Sequence, residues 1–222
     1  MHPLLQNASA IIFDFDGVLV DSEPLHAEAI RRTAGMLGWA MTPGQFLRMI
    51  GKGDEHAFEL LARENGRTID PGEVARLCDR KHEECLLLIG EHRFSVQPGA
   101  AELVALAAER APVGVCSGSR SGVVRGMLNR SGMAGAMRTV VTHEDVANPK
   151  PAPDGYLLAA ARLNTDPRAC VAIEDSPTGL LAAKDAGMKV IAVCHSFAAD
   201  QLSLADVVVE RIADLCRRCA NP

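Results

Sequence analysis

The sequence predicts an α/β protein: a doubly wound parallel sheet carrying an all-helical insertion. Three observations predict it. Short apolar runs alternate with helix-like stretches along most of the 222 residues. That alternation is the signature of parallel strands joined by right-handed helical crossovers. The runs tend to end on polar or acidic residues, as strands do where they reach a ligand-binding rim. Between about Pro24 and Arg93 the alternation stops, and only helical periodicity remains.

The strands are expected at residues 10–14, 113–117, 139–142, 170–174 and 190–194, with 206–209 a further candidate. Each is short and apolar, as strands buried on both faces are. Between them, residues 100–110, 121–131, 154–163 and 178–186 read as helices. Inside the insertion, helices are expected over 25–37, 43–49, 56–65 and 71–88. Pro43 and Pro71 stand near two of the starts, where proline is tolerated. The expected organisation is a core of residues 1–22 and 94–222, with a helical domain at 23–93. No internal repeat or low-complexity segment interrupts this plan.

Composition narrows the function. The chain is 48% hydrophobic and 23% charged, which is globular, and its formal charge of −5 argues against a nucleic-acid surface. No apolar run reaches the ~18 residues of a membrane span, and no signal peptide is evident. An odd count of seven cysteines, several in apolar runs, predicts reduced thiols and a cytoplasmic setting. Cys216-Arg-Arg-Cys219 has redox spacing but lies in a charged tail, so a plain tail helix is expected there. No second ligand pair supports zinc. Aromatic residues are only 4% of the chain and suggest no sticky patch, so a monomer or weak dimer is expected.

The chemistry starts at Ile11-Ile-Phe-Asp14-Phe-Asp16-Gly-Val18. Side chains alternate along a strand, so Asp14 and Asp16 tend to share a face. Two such carboxylates repel unless a cation joins them or one keeps a proton. The first case is a Mg2+ site; the second supplies a proton donor. A turn with an Asx hydrogen bond is the plainer alternative. If the strands are neighbours, other polar groups converge on the same rim: Ser117, Lys150 in Asn148-Pro-Lys-Pro-Ala-Pro-Asp154, and Glu174-Asp175-Ser176. Their plainer readings are a helix cap for Ser117-Gly118-Ser119, a surface lysine, and a helix cap at Asp175-Ser176. The helical insertion leaves from this rim and is placed to act as a lid.

Taken in order, these four pieces resemble the haloacid dehalogenase superfamily, which is dominated by phosphatases and phosphomutases. The resemblance runs from Ile11 to about Val193. The stretch Asp14-Phe-Asp-Gly-Val-Leu-Val-Asp-Ser-Glu-Pro-Leu-His26 is especially similar to the β-phosphoglucomutase-like branch. The resemblance implies a Rossmann-like core with a helical cap. It implies that Asp14 is the nucleophile forming an aspartyl-phosphate, and that Asp16 protonates the leaving oxygen and later takes a proton from water. Ser117 would donate to the phosphoryl group, and Lys150 would balance charge. Mg2+ would be held by Asp14, Asp175 and the main-chain carbonyl of Asp16, with Glu174 adjacent or ligating through water. It also suggests an unusual Lys150–Pro151 bond, with the cis form as the one to look for.

Residues expected near the substrate are Glu23, His26 and Lys52 in the insertion, and Gly118 and Arg120 beside Ser117. Half-buried, exposed or ion-paired positions without a role are the alternatives. His56, His82, His92, His143 and His195 show no ligand spacing and read as surface or core histidines. The expected activity is Mg2+-dependent hydrolysis of a small, sugar-phosphate-like phosphorylated metabolite. A β-phosphoglucomutase-like mutase is the alternative, but the loop Gly51-Lys-Gly-Asp-Glu-His56 lacks the arginine that the mutase branch usually carries there. A true dehalogenase has no use for Asp16. A phosphonate-cleaving enzyme would need a cap lysine such as Lys52. A non-catalytic binding module has no need for both the nucleophile and its acid.

Overall fold

The computed structural model describes residues 1–49 and 52–216. The chain forms two compact units: Met1–Asp21 with the chain from Ser95 onward, and Ser22–Phe94.

The first unit begins with a short helix, α1 (Pro3–Gln6), then β1 (Ala10–Phe13) and β2 (Val20–Asp21). After the second unit the chain returns as β3 (Ser95–Val96), α6 (Ala100–Ala108), β4 (Val113–Cys116) and α7 (Ser121–Arg130). β5 (Met137–Val141), α8 (Asp154–Arg162), β6 (Cys170–Glu174), α9 (Pro177–Asp185), β7 (Lys189–Val193) and β8 (Val207–Val209) complete it. Among the described residues, six strands form one sheet in the order β5-β4-β1-β6-β7-β8, every pairing parallel. The chain winds outward from β1 through β4 to β5, then returns to β6 on the other side. Strand order therefore reverses beside β1, where open α/β sheets bind ligands. β1 has no exposed residue: Ala10, Ile11, Ile12 and Phe13 are all fully buried.

α8 and α9 pack on the sheet through Tyr156, Ala159, Ala160, Leu180 and Ala183, which share a core cluster with Ile12 and Ala172. The small alanines let helix and sheet approach closely. Gly114 makes room for its neighbour on β5: a Cβ there would lie 2.5 Å from Thr139 Cγ2. Among the described residues no helix is long and apolar enough to cross a membrane. Six cysteines there are free.

The second unit is helical: α2 (Glu23–Gly35), α3 (Pro43–Leu47), α4 (Asp54–Glu64) and α5 (Pro71–Gly90). Pro43 and Pro71 each follow an N-cap, Thr42 and Asp70, completed as capping boxes by Gln45 and Glu73. The unit has its own core of Ile30, Ala34, Met49, Ala57, Phe58, Leu61, Val74 and Cys78, against which Trp39, Phe46 and Leu77 pack. α5 also buries Lys81, which pairs with Asp54 at 2.8 Å and meets His26 Nδ1 at 2.9 Å.

Three short elements are absent from the sequence reading: α1, β2 and β3. β2 and β3 pair antiparallel, Val20 with Val96 and Asp21 with Ser95, where the chain enters and leaves the insertion. Pairs this short carry no periodicity to detect. A short 3-10 turn spans Ile212–Leu215, and the tail helix expected at Cys216–Cys219 falls largely on residues outside the described ones. Cys219 and Gly51 lie outside the described residues.

Candidate active site

The motif residues of the first unit meet on one rim. Asp14 follows β1 directly, and its N–H donates to Ile173 O at 2.8 Å, continuing the ladder with β6. Ser117 follows β4, Glu174 ends β6 and Asp175 follows it. Neighbouring parallel strands thus deliver all four side chains to one place. Asp14, Ser117, Glu174 and Asp175 are at most 7% exposed.

Lys150 reaches this rim from the β5–α8 loop, and its peptide bond to Pro151 is cis. Its ammonium donates to Asp14 Oδ1 at 2.5 Å, Glu174 Oε1 at 2.6 Å and Cys116 O at 3.1 Å. An ammonium has three N–H groups, so these acceptors use them all. The Tyr156 ring lies beneath it, 5.0 Å from Nζ to the centroid. The Tyr156 hydroxyl donates to Glu174 Oε1 at 2.8 Å. Glu174 Oε2 accepts from the Asp175 and Ser176 amides and from Ser176 Oγ. Both oxygens of this fully buried carboxylate are thereby engaged. Ser176, rather than Asp175, caps α9, accepting from Gly179 N at 3.1 Å. A Cβ at Gly179 would fall 1.8 Å from Glu174 Oε1, so only glycine fits there.

Asp16 turns away from the core and accepts on Oδ2 from Ser117 Oγ at 3.0 Å and Ser119 Oγ at 2.8 Å. The Ser119 amide in turn donates to Ser117 Oγ at 2.9 Å. These serines do not cap α7: the first amide of that helix, Ser121, donates to the Glu144 carboxylate instead. Gly118 is exposed, and half-buried Arg120 occupies the α7 N-cap. In the helical unit, Glu23 opens α2, His26 lies in its first turn against Lys81, and Lys52 is exposed.

The charges do not balance. Ligand atoms of Asp14, Glu174 and Asp175 lie within 4.8 Å of one another, and Lys150 is the cation between them. Burial pushes the Asp14 carboxyl well above the usual range, Lys150 opposes the rise, and Glu174, Asp175 and Asp16 add to it. Asp175 is pushed up to about 7, by burial first and then by Glu174. Burial alone would lower the Lys150 ammonium, but Asp14 and Glu174 more than offset this and hold it protonated. A buried, all-oxygen, net-negative set fits a hard divalent cation such as Mg2+. Asp14 and Asp175 would hold it directly, and Glu174, with both oxygens engaged, through water. Cys116 is pushed up to about 12 by burial and is no nucleophile.

Sequence reasoning missed four contributors: Tyr156, Ser119, His195 and Ser196. The chain's one tyrosine, four residues after Ala152 and next to the Lys150 motif, was a visible signal. A buried phenol needs a partner. His195, expected to have no role beyond surface or core, instead has Nδ1 at 2.7 Å from Gly17 O. Ser196 Oγ donates to Asp175 Oδ2. The available signal was a polar pair just past the end of β7, on the same rim.

Comparison with known proteins agrees with this geometry. The sequence profile of the haloacid dehalogenase-like hydrolases matches residues 11–193. Fructose-1-phosphate phosphatase YqaB of Escherichia coli is 30% identical over 191 residues, covering 86% of this chain and 98% of that protein. β-Phosphoglucomutase of Bacillus subtilis is 30% identical over 210 residues, covering 93% and 91%. A crystal structure of a CbbY variant from Rhodobacter sphaeroides, complexed with xylulose-(1,5)bisphosphate, superposes with a TM-score of 0.84 at 27% identity, covering 94% and 96%. With its sheet order, its rim of aspartates and these similarities, the chain belongs to the haloacid dehalogenase-like hydrolase family.

Proposed function

We propose that the chain is a Mg2+-dependent phosphatase that hydrolyses a small phosphorylated metabolite of the sugar-phosphate class through an aspartyl-phosphate at Asp14. As a phosphoric monoester hydrolase it has the enzyme class of its phosphatase relatives. The observation that carries the finer reading is the Lys150 ammonium on Asp14 Oδ1, inside a buried set of carboxylates with excess negative charge.

With Oδ1 held by Lys150, we assign Oδ2 of Asp14 to the attack on phosphorus. The P–O bond to the substrate breaks as the new bond forms, and Asp16 gives its proton to the leaving oxygen. Water then attacks the phosphorus of the aspartyl-phosphate, Asp16 takes its proton, and Asp14 is released with inorganic phosphate. Ser117 and Ser119 fix Asp16 through its Oδ2. In this reading the Ser117 hydroxyl turns its one proton from Asp16 to the phosphoryl group when substrate is bound, and Ser119 keeps its bond to Asp16. Bound Mg2+ would neutralise charge on that group, the dominant need in phosphoryl transfer. We read the helical unit as the cap that excludes bulk water and carries specificity, with Glu23, His26 and Lys52 its candidate contacts.

The mutase reading rests on the Bacillus subtilis relative. Against it stands the sequence Lys52-Gly-Asp-Glu-His56, which lacks an arginine. One experiment separates them: release of inorganic phosphate from a panel of sugar phosphates, with and without Mg2+, followed by product analysis. The panel includes fructose 1-phosphate, and β-glucose 1-phosphate with a trace of its bisphosphate. Mg2+-dependent phosphate release is expected. Isomerised sugar phosphate with little free phosphate would instead establish a mutase.

A further inference from the structure

We propose that His195 and Ser196, in the loop between β7 and β8, are positioning residues that hold both halves of the metal site. This inference rests on the Mg2+ reading above.

The loop is anchored before it reaches the site: Cys194 N donates to Val209 O at 3.0 Å. His195 then makes two contacts with two different nitrogens. Nδ1 lies 2.7 Å from Gly17 O, and Ile212 N donates to Nε2 at 3.4 Å. A carbonyl only accepts and an amide N–H only donates, so one neutral tautomer, protonated at Nδ1, satisfies both. Gly17 is the glycine of the double-aspartate turn, with φ +80. Its own N–H donates to Val20 O at 2.8 Å. The peptide groups on both sides of Gly17 are therefore fixed, one by Val20 and one by His195. The first of these carries the Asp16 carbonyl that would face the metal.

Ser196 holds the other half. Its hydroxyl donates to Asp175 Oδ2. An anchored oxygen leaves a carboxylate one oxygen to present to a cation. The two halves are also packed against each other. A Cβ at Gly17 would fall 1.8 Å from Asp175 Oδ2 and 2.7 Å from Ser196 Oγ. One dipeptide thus ties the turn after β1 to the carboxylate after β6, across segments 178 and 21 residues apart in sequence. Neither side chain reaches the reacting atoms. Such supporting groups typically change metal affinity or activity by about 10- to 100-fold.

The test uses the full chain and Mg2+ itself. Mg2+ binding is measured by isothermal titration calorimetry in wild type, Ser196→Ala, His195→Ala, His195→Asn and Asp175→Ala. Thermal melts are recorded without metal. Ser196→Ala and His195→Ala are expected to weaken Mg2+ binding by about tenfold or more while the metal-free melts stay near wild type. His195→Asn should recover much of the loss, because its amide nitrogen can stand where Nδ1 stands. Wild-type Mg2+ affinity in folded Ser196→Ala and His195→Ala would overturn the proposal and leave a merely structural loop. If His195→Ala does not fold, Ser196→Ala decides: wild-type Mg2+ affinity in folded Ser196→Ala also overturns it. Absence of Mg2+ binding in wild type, or full binding in Asp175→Ala, would instead sink the metal-site reading, and this inference with it.

Discussion

Each unit of the chain buries a lysine, and the two surroundings differ in charge. Around Lys150, the carboxylates of Asp14, Glu174 and Asp175 crowd one ammonium. Around Lys81, the contacts include the Asp54 carboxylate and the His26 imidazole. A lysine whose carboxylate partner is open to water, as Asp54 is, reads as architecture. A buried cluster that overshoots in one sign asks for another cation, and that asymmetry separates a reaction centre from an ion pair. The Asp54 side chain is also 34% exposed, whereas Glu174 is sealed from solvent. Water can replace Lys81 for its partner but cannot replace Lys150.

This contrast can be broken most sharply at the nucleophile. Asp14→Asn is expected to lower turnover by at least ~10^3-fold, with the metal-free melting temperature no lower than wild type. Removing a buried, repelled carboxylate should not cost stability. Steady-state kinetics beside a thermal melt checks both halves of the statement.

The lysines come next. Lys150→Met strands Glu174 and Asp14 without their cation and should cost about 3–5 kcal/mol. Lys81→Met should cost clearly less, because Asp54 can be hydrated. Denaturant unfolding of both variants measures the difference, and equal losses would erase the distinction drawn here.

The pH dependence sharpens it further. Asp175 has its folded pKa raised to about 7 from an ordinary 3.8. A raised carboxyl contributes stability that is complete below its unfolded pKa and is lost as pH rises through the folded one. Without metal, its contribution should therefore fade between about pH 4 and 7. Metal ligands must be deprotonated, so Mg2+ should raise the melting temperature more at about pH 8 than at about pH 5.5. Melts with and without Mg2+ across that range check the sign.

The smallest effect is expected at Tyr156. Tyr156→Phe keeps the ring under Lys150 but deletes the donor to Glu174, and should cost about 1 kcal/mol of stability and less than tenfold in kcat.

Much of the sheet unit was legible because strand ends are local. Ile11–Phe13 shows itself as an apolar run, and the acid that follows it marks the rim. Neighbouring runs ending in Ser117 and Glu174-Asp175 pointed to the same place. What stayed hidden joins distant segments. That Ser117 and Ser119 bond Asp16, or that His195 reaches Gly17, depends on sheet order and on the side-chain geometry of separate loops, which no local pattern encodes. β2 and β3, at two residues each, are too short to announce themselves. In the helical unit, α5 was legible from its capping proline and buried face. Yet the burial of Lys81 within that face was invisible, because its partner Asp54 belongs to another helix.

The central claim is a phosphoryl group carried on Asp14, and it is tested most directly by acid-quenched single turnover with mass spectrometry of the peptide containing residues 10–18. The Asp16→Asn variant, in which both formation and hydrolysis of the adduct are slowed, is quenched beside wild type over longer times. With Mg2+ and a turned-over sugar phosphate, the mass of one phosphoryl group on Asp14 is predicted, and no adduct in Asp14→Asn. Turnover with no covalent adduct at any quench time in wild type and Asp16→Asn, or an adduct at another residue, would contradict the account.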